Sequence, residues 1–132
     1  MLRYVMGFKY DGRVLLRQNE AGSWDGIQGV VRPGETDKRA MVRVFKEATG
    51  IDAPAAGWLQ IAQMSDDDTI LTIYVSHGGL DGVQSGRVGG GGALRAQGYV
   101  PLDVSPTAAW VAGMLLDHTL AYITVNFDRS DD

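Results

Sequence analysis

Gly29-Val30-Val31-Arg32-Pro33-Gly34-Glu35 leads through Thr36-Asp37-Lys38-Arg39 to Ala40-Met41-Val42-Arg43-Val44-Phe45-Lys46-Glu47-Ala48-Thr49-Gly50-Ile51, and the pattern changes period within this stretch. Ile27 to Arg32 is apolar and β-prone, and Pro33-Gly34 stops it. Thr36 then offers a side-chain oxygen to the free N–H groups of a helix start, and Asp37 places negative charge in the first turn. Apolar residues follow at Ala40, Met41, Val44, Phe45 and Ala48, the spacing of one helical face. Gly50 stands where a left-handed cap ends a helix. The spacing predicts a helix over Asp37–Thr49.

Outward from this unit, the chain reads mainly as short strands. Leu2 to Phe8 and Arg13 to Arg17 are β-prone runs around Tyr10-Asp11-Gly12, and Asp-Gly is a hairpin turn signal. Residues 18 to 26 read as a loop. Trp58 to Met64 and Thr69 to Ser76 form a second expected hairpin across Ser65-Asp66-Asp67-Asp68. Gly78 to Gly98 holds nine of the eighteen glycines and reads as a flexible loop. Tyr99 to Val104 reads as a short strand. A second helix is expected from Ser105-Pro106 to about Asp117, with proline in its first turn. Leu120 to Phe127 reads as a closing strand. Five to seven strands with two helices imply an α/β domain with a mixed sheet between helices.

Composition narrows the classes. At 132 residues, 45% hydrophobic and 21% charged, the chain fits one globular domain over 1–132. A net charge of -4, from 12 basic and 16 acidic residues, argues against a general binder of nucleic-acid polymers. A small phosphorylated ligand is not excluded, since a few local cations suffice for it. No window reaches the roughly 18 apolar residues of a bilayer span, so no membrane is expected. The absence of cysteine removes disulfides and Cys-based zinc sites, and a cytoplasmic protein fits that absence.

The stretch from Gly29 to Ile51 resembles the Nudix box, G-x5-E-x7-R-E-U-x-E-E-x-G-U, where U is bulky and apolar. Gly29, Glu35, Arg43, Phe45, Glu47, Gly50 and Ile51 match with the spacing intact. Most of the chain outside the glycine-rich segment follows the element order of small MutT-like Nudix proteins. The resemblance implies the Nudix fold and a hydrolase of a nucleoside diphosphate linked to another group. It also implies Mg2+ or Mn2+ held by helix carboxylates, a carbonyl near Gly29 aiding as a metal ligand, and Glu35 with Arg43 supporting the junction. A homodimer is implied by the resemblance alone.

Carboxylates at positions i, i+3 and i+4 of a helix share one side and there hold the metal. Those positions here are Val44, Glu47 and Ala48. Glu47 is thus the one remaining catalytic and metal-binding carboxylate, and metal binding is expected to be weak or substrate-dependent. Hydrolysis is expected to be weak or atypical. Beside it stand two other readings, a catalytically inactive nucleotide- or metabolite-binding domain and a scaffold. Trp24, Arg17 and Arg32 are the candidate substrate contacts, Trp24 by stacking or else as ordinary core or rim packing, the arginines by reaching phosphate or else as solvated strand ends. Asp66, Asp67 and Asp68 read first as a solvated turn and second as a relocated ligand set. His77 and His118 are candidate bases, a role that lone surface histidines seldom have.

Overall fold

A computed structural model of the chain describes residues 1–78, 80 and 93–117. The expected glycine-rich loop over 79 and 81–92, His118 and the expected strand Leu120–Phe127 lie outside the described residues. Seven strands form one mixed sheet: β1 (Leu2–Tyr10), β2 (Val14–Gln18), β3 (Trp24–Asp25), β4 (Ile27–Val30), β5 (Leu59–Ser65), β6 (Thr69–His77) and β7 (Leu94–Gln97). Helices α1 (Asp37–Thr49) and α2 (Pro106–Leu116) complete the described fold. The α/β arrangement of a mixed sheet between helices therefore stands as read from the sequence.

The central strand is β1. It pairs in parallel with β6 from Leu2↔Thr69 to Tyr10↔His77, and its other edge pairs antiparallel with β4, from Tyr4↔Val30 to Gly7↔Ile27. At Tyr10↔Val14 it turns into β2 through the expected Asp-Gly hairpin. Side chains alternate across such a strand. Val5 faces α1, while Met6 and Phe8 face α2. Two apolar cores result. One joins α1 to Val5, Leu15, Ile27, Trp58 and Leu94, and the other joins α2 to Met6, Phe8, Leu16, Ile73 and Val75. Each large side chain buried in this way contributes about 1.5–3 kcal/mol. Lys9 is the exception within β1. Its ammonium lies 5.9 and 5.8 Å from the ring centres of Phe45 and Trp58, donates to Ser76 Oγ at 3.1 Å, and has its pKa pushed down by burial.

The ends of α1 follow from its sequence. Thr36 Oγ1 accepts from the Arg39 N–H at 3.2 Å, and Gly50, at φ 78°, sends its N–H to Lys46 O at 2.7 Å. Asp37 ties the first turn to the sheet, accepting from Arg3 Nε at 3.1 Å, Arg3 Nη2 at 2.5 Å and Thr72 Oγ1 at 3.2 Å. Helix α2 is capped by Ser105 and has Pro106 in its first turn, as expected.

Three readings need correction, and one element was not expected. The loop assigned to 18–26 contains β3, whose two residues pair with Arg17 and Gln18 and whose Trp24 also bridges to Val104. The segment assigned to a flexible loop ends in β7, held against β2 from Leu94↔Arg17 to Gln97↔Val14 with Leu94 and Gln97 buried. Tyr99 to Val104 is not a strand and makes only that Val104 bridge. A 3-10 turn at Ala55–Gly57, between α1 and β5, was not foreseen. Among the described residues, no helix is long and apolar enough to cross a membrane.

Candidate functional site

The β4–α1 junction is built around one ion pair. Gly34, at φ 81°, turns the chain so that Glu35 reaches back over its own loop. Glu35 Oε1 accepts from the Arg32 N–H at 3.1 Å, while the Glu35 N–H donates to Arg32 O at 3.0 Å. Arg43 then reaches Glu35 with two prongs, Nε to Oε2 at 2.9 Å and Nη2 to Oε1 at 3.0 Å. The same Nη2 donates to Val30 O at 2.6 Å, at the end of β4, and Nη1 to Glu47 Oε1 at 2.5 Å. Two-pronged bonds between charged groups are among the strong ones. The Arg43 guanidinium accordingly holds the Glu35 carboxyl down at about 2, with the Arg32 N–H assisting, and Glu35 in turn raises Arg43.

One turn further along, the face expected to hold metal is apolar and closed. Val44 is 4% exposed and Ala48 2%, and both belong to the α1-side core with Val5, Ile27, Leu80 and Leu94. Val44 packs directly on β4. A Cβ built on Gly29 would meet Val44 Cγ2 at 2.6 Å, so glycine is needed there for the helix to lie this close. The structure thus supplies a packing reason for Gly29 that involves no metal. Glu47 is 54% exposed, with Oε1 bonded to Arg43 and Oε2 3.9 Å from Arg32 Nη2.

These residues do not fit a divalent cation. Mg2+ demands several oxygen ligands in near-octahedral geometry. Val44 and Ala48 offer none, and the Glu47 carboxylate faces two guanidinium groups. Among the described residues, no cluster of three or more His, Asp or Glu side chains could hold a metal ion. The acidic hairpin is explained locally: Asp66 Oδ1 accepts from Asp68 N at 3.0 Å, Thr69 N at 2.9 Å and Thr69 Oγ1 at 2.8 Å, and these bonds lower its pKa. His77 stacks edge-on against Tyr10, with ring centres 5.2 Å apart, where β1 and β6 end.

Glu35, Arg43, Glu47 and Arg32 therefore come together, whereas Trp24 and Arg17 lie elsewhere. Trp24 packs against the α2-side core, with the Arg95 guanidinium 5.4 Å from its ring centre. Its N–H donates to Asp103 O at 2.5 Å, and its carbonyl accepts from Ser105 N at 2.8 Å. Arg17 is half-buried on β2, across from Asp25 of β3. The sequence reading missed Arg39. It lines an open cleft of about 660 Å3 with Arg32, Gly34, Glu35, Arg43 and Ala55. A usable signal was present, since 39, 43 and 47 are spaced four apart and so form one charged stripe on α1.

No family model matches the chain. The CTP pyrophosphohydrolase of Escherichia coli (strain K12) is 31% identical over 72 residues, which span 51% of this chain and 53% of that protein. The match thus covers about half the length of this curated relative. A NUDIX-family hydrolase from Clostridium perfringens superposes with a TM-score of 0.72 at 16% identity, over 89% of this chain and 97% of that one. The NUDIX domain of Shewanella oneidensis NrtR, solved with ADP ribose, gives 0.66 at 15% identity, over 89% and 88%. At such identities the structural likeness establishes the fold, and the intact spacing from Gly29 to Ile51 carries the relation into the sequence. The chain therefore has the Nudix α/β fold, and over about half its length it is similar in sequence to a curated pyrophosphohydrolase.

Proposed function

We propose that this domain binds a ligand of the nucleoside diphosphate class without the metal-dependent hydrolysis typical of its superfamily. The observation that carries this reading is the burial of Val44 and Ala48 in the α1-side core. Metal activation of water and neutralisation of phosphate charge supply several kcal/mol to such a hydrolysis, so losing them costs orders of magnitude in rate. What the junction retains is a rigid loop carrying Arg32 beside an open cleft, which suits recognition better than turnover.

A second reading is a weak hydrolase, favoured by the exposure of Glu47, whose carboxylate is more than half open to solvent. Mg2+ or Mn2+ would then be brought largely by the ligand's own phosphates. The relatives suggest the probes, CTP and ADP ribose. Each is titrated calorimetrically into the chain in EDTA and in Mg2+ or Mn2+, and products are followed by chromatography. Binding without turnover supports the first reading. Turnover that disappears in Glu47→Gln supports the second. Failure of both probes, and of other nucleoside diphosphate derivatives, to bind overturns both readings in favour of a scaffold.

A further inference from the structure

We infer that Arg32 and Arg39 hold the diphosphate directly, in the cleft between the β4–α1 loop and the outer side of α1, with no metal ion between. This rests on the reading of the domain as a binder of diphosphate ligands and assigns the groups that do the binding.

The cleft lining contains three arginines, Arg32, Arg39 and Arg43, against one carboxylate, Glu35. Arg43 is already committed to Glu35, Val30 O and Glu47, so it offsets one of the two acid charges beside it. Arg32 and Arg39 then stand against the one carboxylate charge left over, a surplus of one positive charge. The Arg32 side chain is 63% exposed and approaches Glu47 only at 3.9 Å. Arg39 is exposed and, among the described residues, has no ion pair. Guanidinium forks match phosphate oxygens two at a time, which an isolated ammonium cannot do.

The surroundings agree in sign and shape. Asp37, the acid of the first turn of α1, is held on the sheet side by Arg3 and Thr72, so its charge is satisfied away from the cleft. Gly34 has open space where a Cβ would lie, which leaves its backbone uncovered at the cleft. Ala55 and Val42 give the far side an apolar wall. A motif that binds cations elsewhere in the superfamily has thus left this chain with a surplus of positive charge.

The test is titration of ADP, inorganic diphosphate and adenosine into the full chain in EDTA, by calorimetry and by NMR of arginine side chains. ADP and diphosphate should bind and adenosine should not perturb the Arg32 or Arg39 signals. Arg32→Gln and Arg39→Gln should each weaken diphosphate binding about tenfold, the loss expected for one charge-assisted contact. Arg13→Gln, which removes the same charge from the exposed β1–β2 turn, should leave it unchanged. ADP binding in EDTA that is indifferent to Arg32→Gln and Arg39→Gln overturns the assignment while the binding reading survives. ADP binding that needs Mg2+ and fails in Glu47→Gln overturns the assignment and favours the weak hydrolase. Binding of none of the probes, with or without metal, overturns the reading on which it rests.

Discussion

The β4–α1 junction and the buried face of α1 lie in one stretch, Gly29 to Ile51, and differ in character within a single helical turn. At the junction, Arg43 still grips Glu35 with two prongs and reaches the Val30 carbonyl. On the neighbouring face, Val44 and Ala48 have joined the hydrophobic core, and Gly29 serves as a flat surface for Val44. The difference separates two tasks that the box usually performs together. Holding a strand to a helix is a matter of stability and is kept in any folded descendant. Holding a metal is a matter of chemistry, and positions 44 and 48 here serve packing instead.

The largest effect should come from forcing the two regions back together. Val44→Glu with Ala48→Glu places two carboxylates where the core now excludes water, at a cost of about 4 kcal/mol or more in EDTA. Urea unfolding with and without Mg2+ measures it. Recovery in Mg2+ would show that the face can be reopened as a metal site, while native stability in EDTA would end the contrast drawn here.

Arg43→Ala attacks the retained half. It leaves the partly buried Glu35 carboxylate and the Val30 carbonyl without their partner, and should cost about 3 kcal/mol. A loss below about 1 kcal/mol in the same assay would mean that the junction is no more than a surface pair. The same contact sets an acid limit. Because the folded pKa of Glu35 is depressed to about 2, its contribution is complete above the ordinary carboxylate range near 4.5 and fades as pH falls toward 2. Glu35→Gln should flatten that part of the melting-temperature profile between pH 5 and 2, and an unchanged slope would assign the acid sensitivity to other carboxylates.

The smallest effect belongs to the surface where strand and helix meet. Gly29→Ala should cost about 2 kcal/mol through overpacking against Val44. Val44→Ala in the same chain should return part of that loss, and a double-mutant cycle reads the coupling. Strict additivity would place the two side chains out of contact.

How much of this was legible in the sequence depends on how local its cause is. Thr36, the apolar period and Gly50 mark the two ends of α1, because caps and periodicity act within a few residues. β3 is only two residues long, too short to carry an alternating pattern, and it is fixed by Arg17 and Gln18 nearby and by Val104, a partner that no local window contains. β7 was obscured by the glycines before it, although Leu94 is anchored in the core. In the site, the Glu35–Arg43 pair followed from the resemblance. Val44 and Ala48 were legible both as positions without a carboxylate and as part of the apolar face of α1, and both are buried in the α1-side core. Arg39 belongs to no motif, and only its spacing of four from Arg43 and Glu47 signalled its place beside the loop around Gly34.

The parallel pairing of β1 with β6 bears on how this chain reaches its folded state. Every matched pair from Leu2↔Thr69 to Tyr10↔His77 joins residues 67 apart in the chain. Closing a loop of that length costs about 4 kcal/mol of entropy before the first ladder bond forms. The β1–β2 hairpin and α1 need no such closure and can appear early. The rate of refolding is therefore expected to be set by the docking of the β5–β6 hairpin onto β1. Truncating Ile73 in β6 should slow refolding, whereas truncating Val111 in α2 should mainly speed unfolding. Stopped-flow measurement of both variants across urea would give the order in which the sheet is assembled.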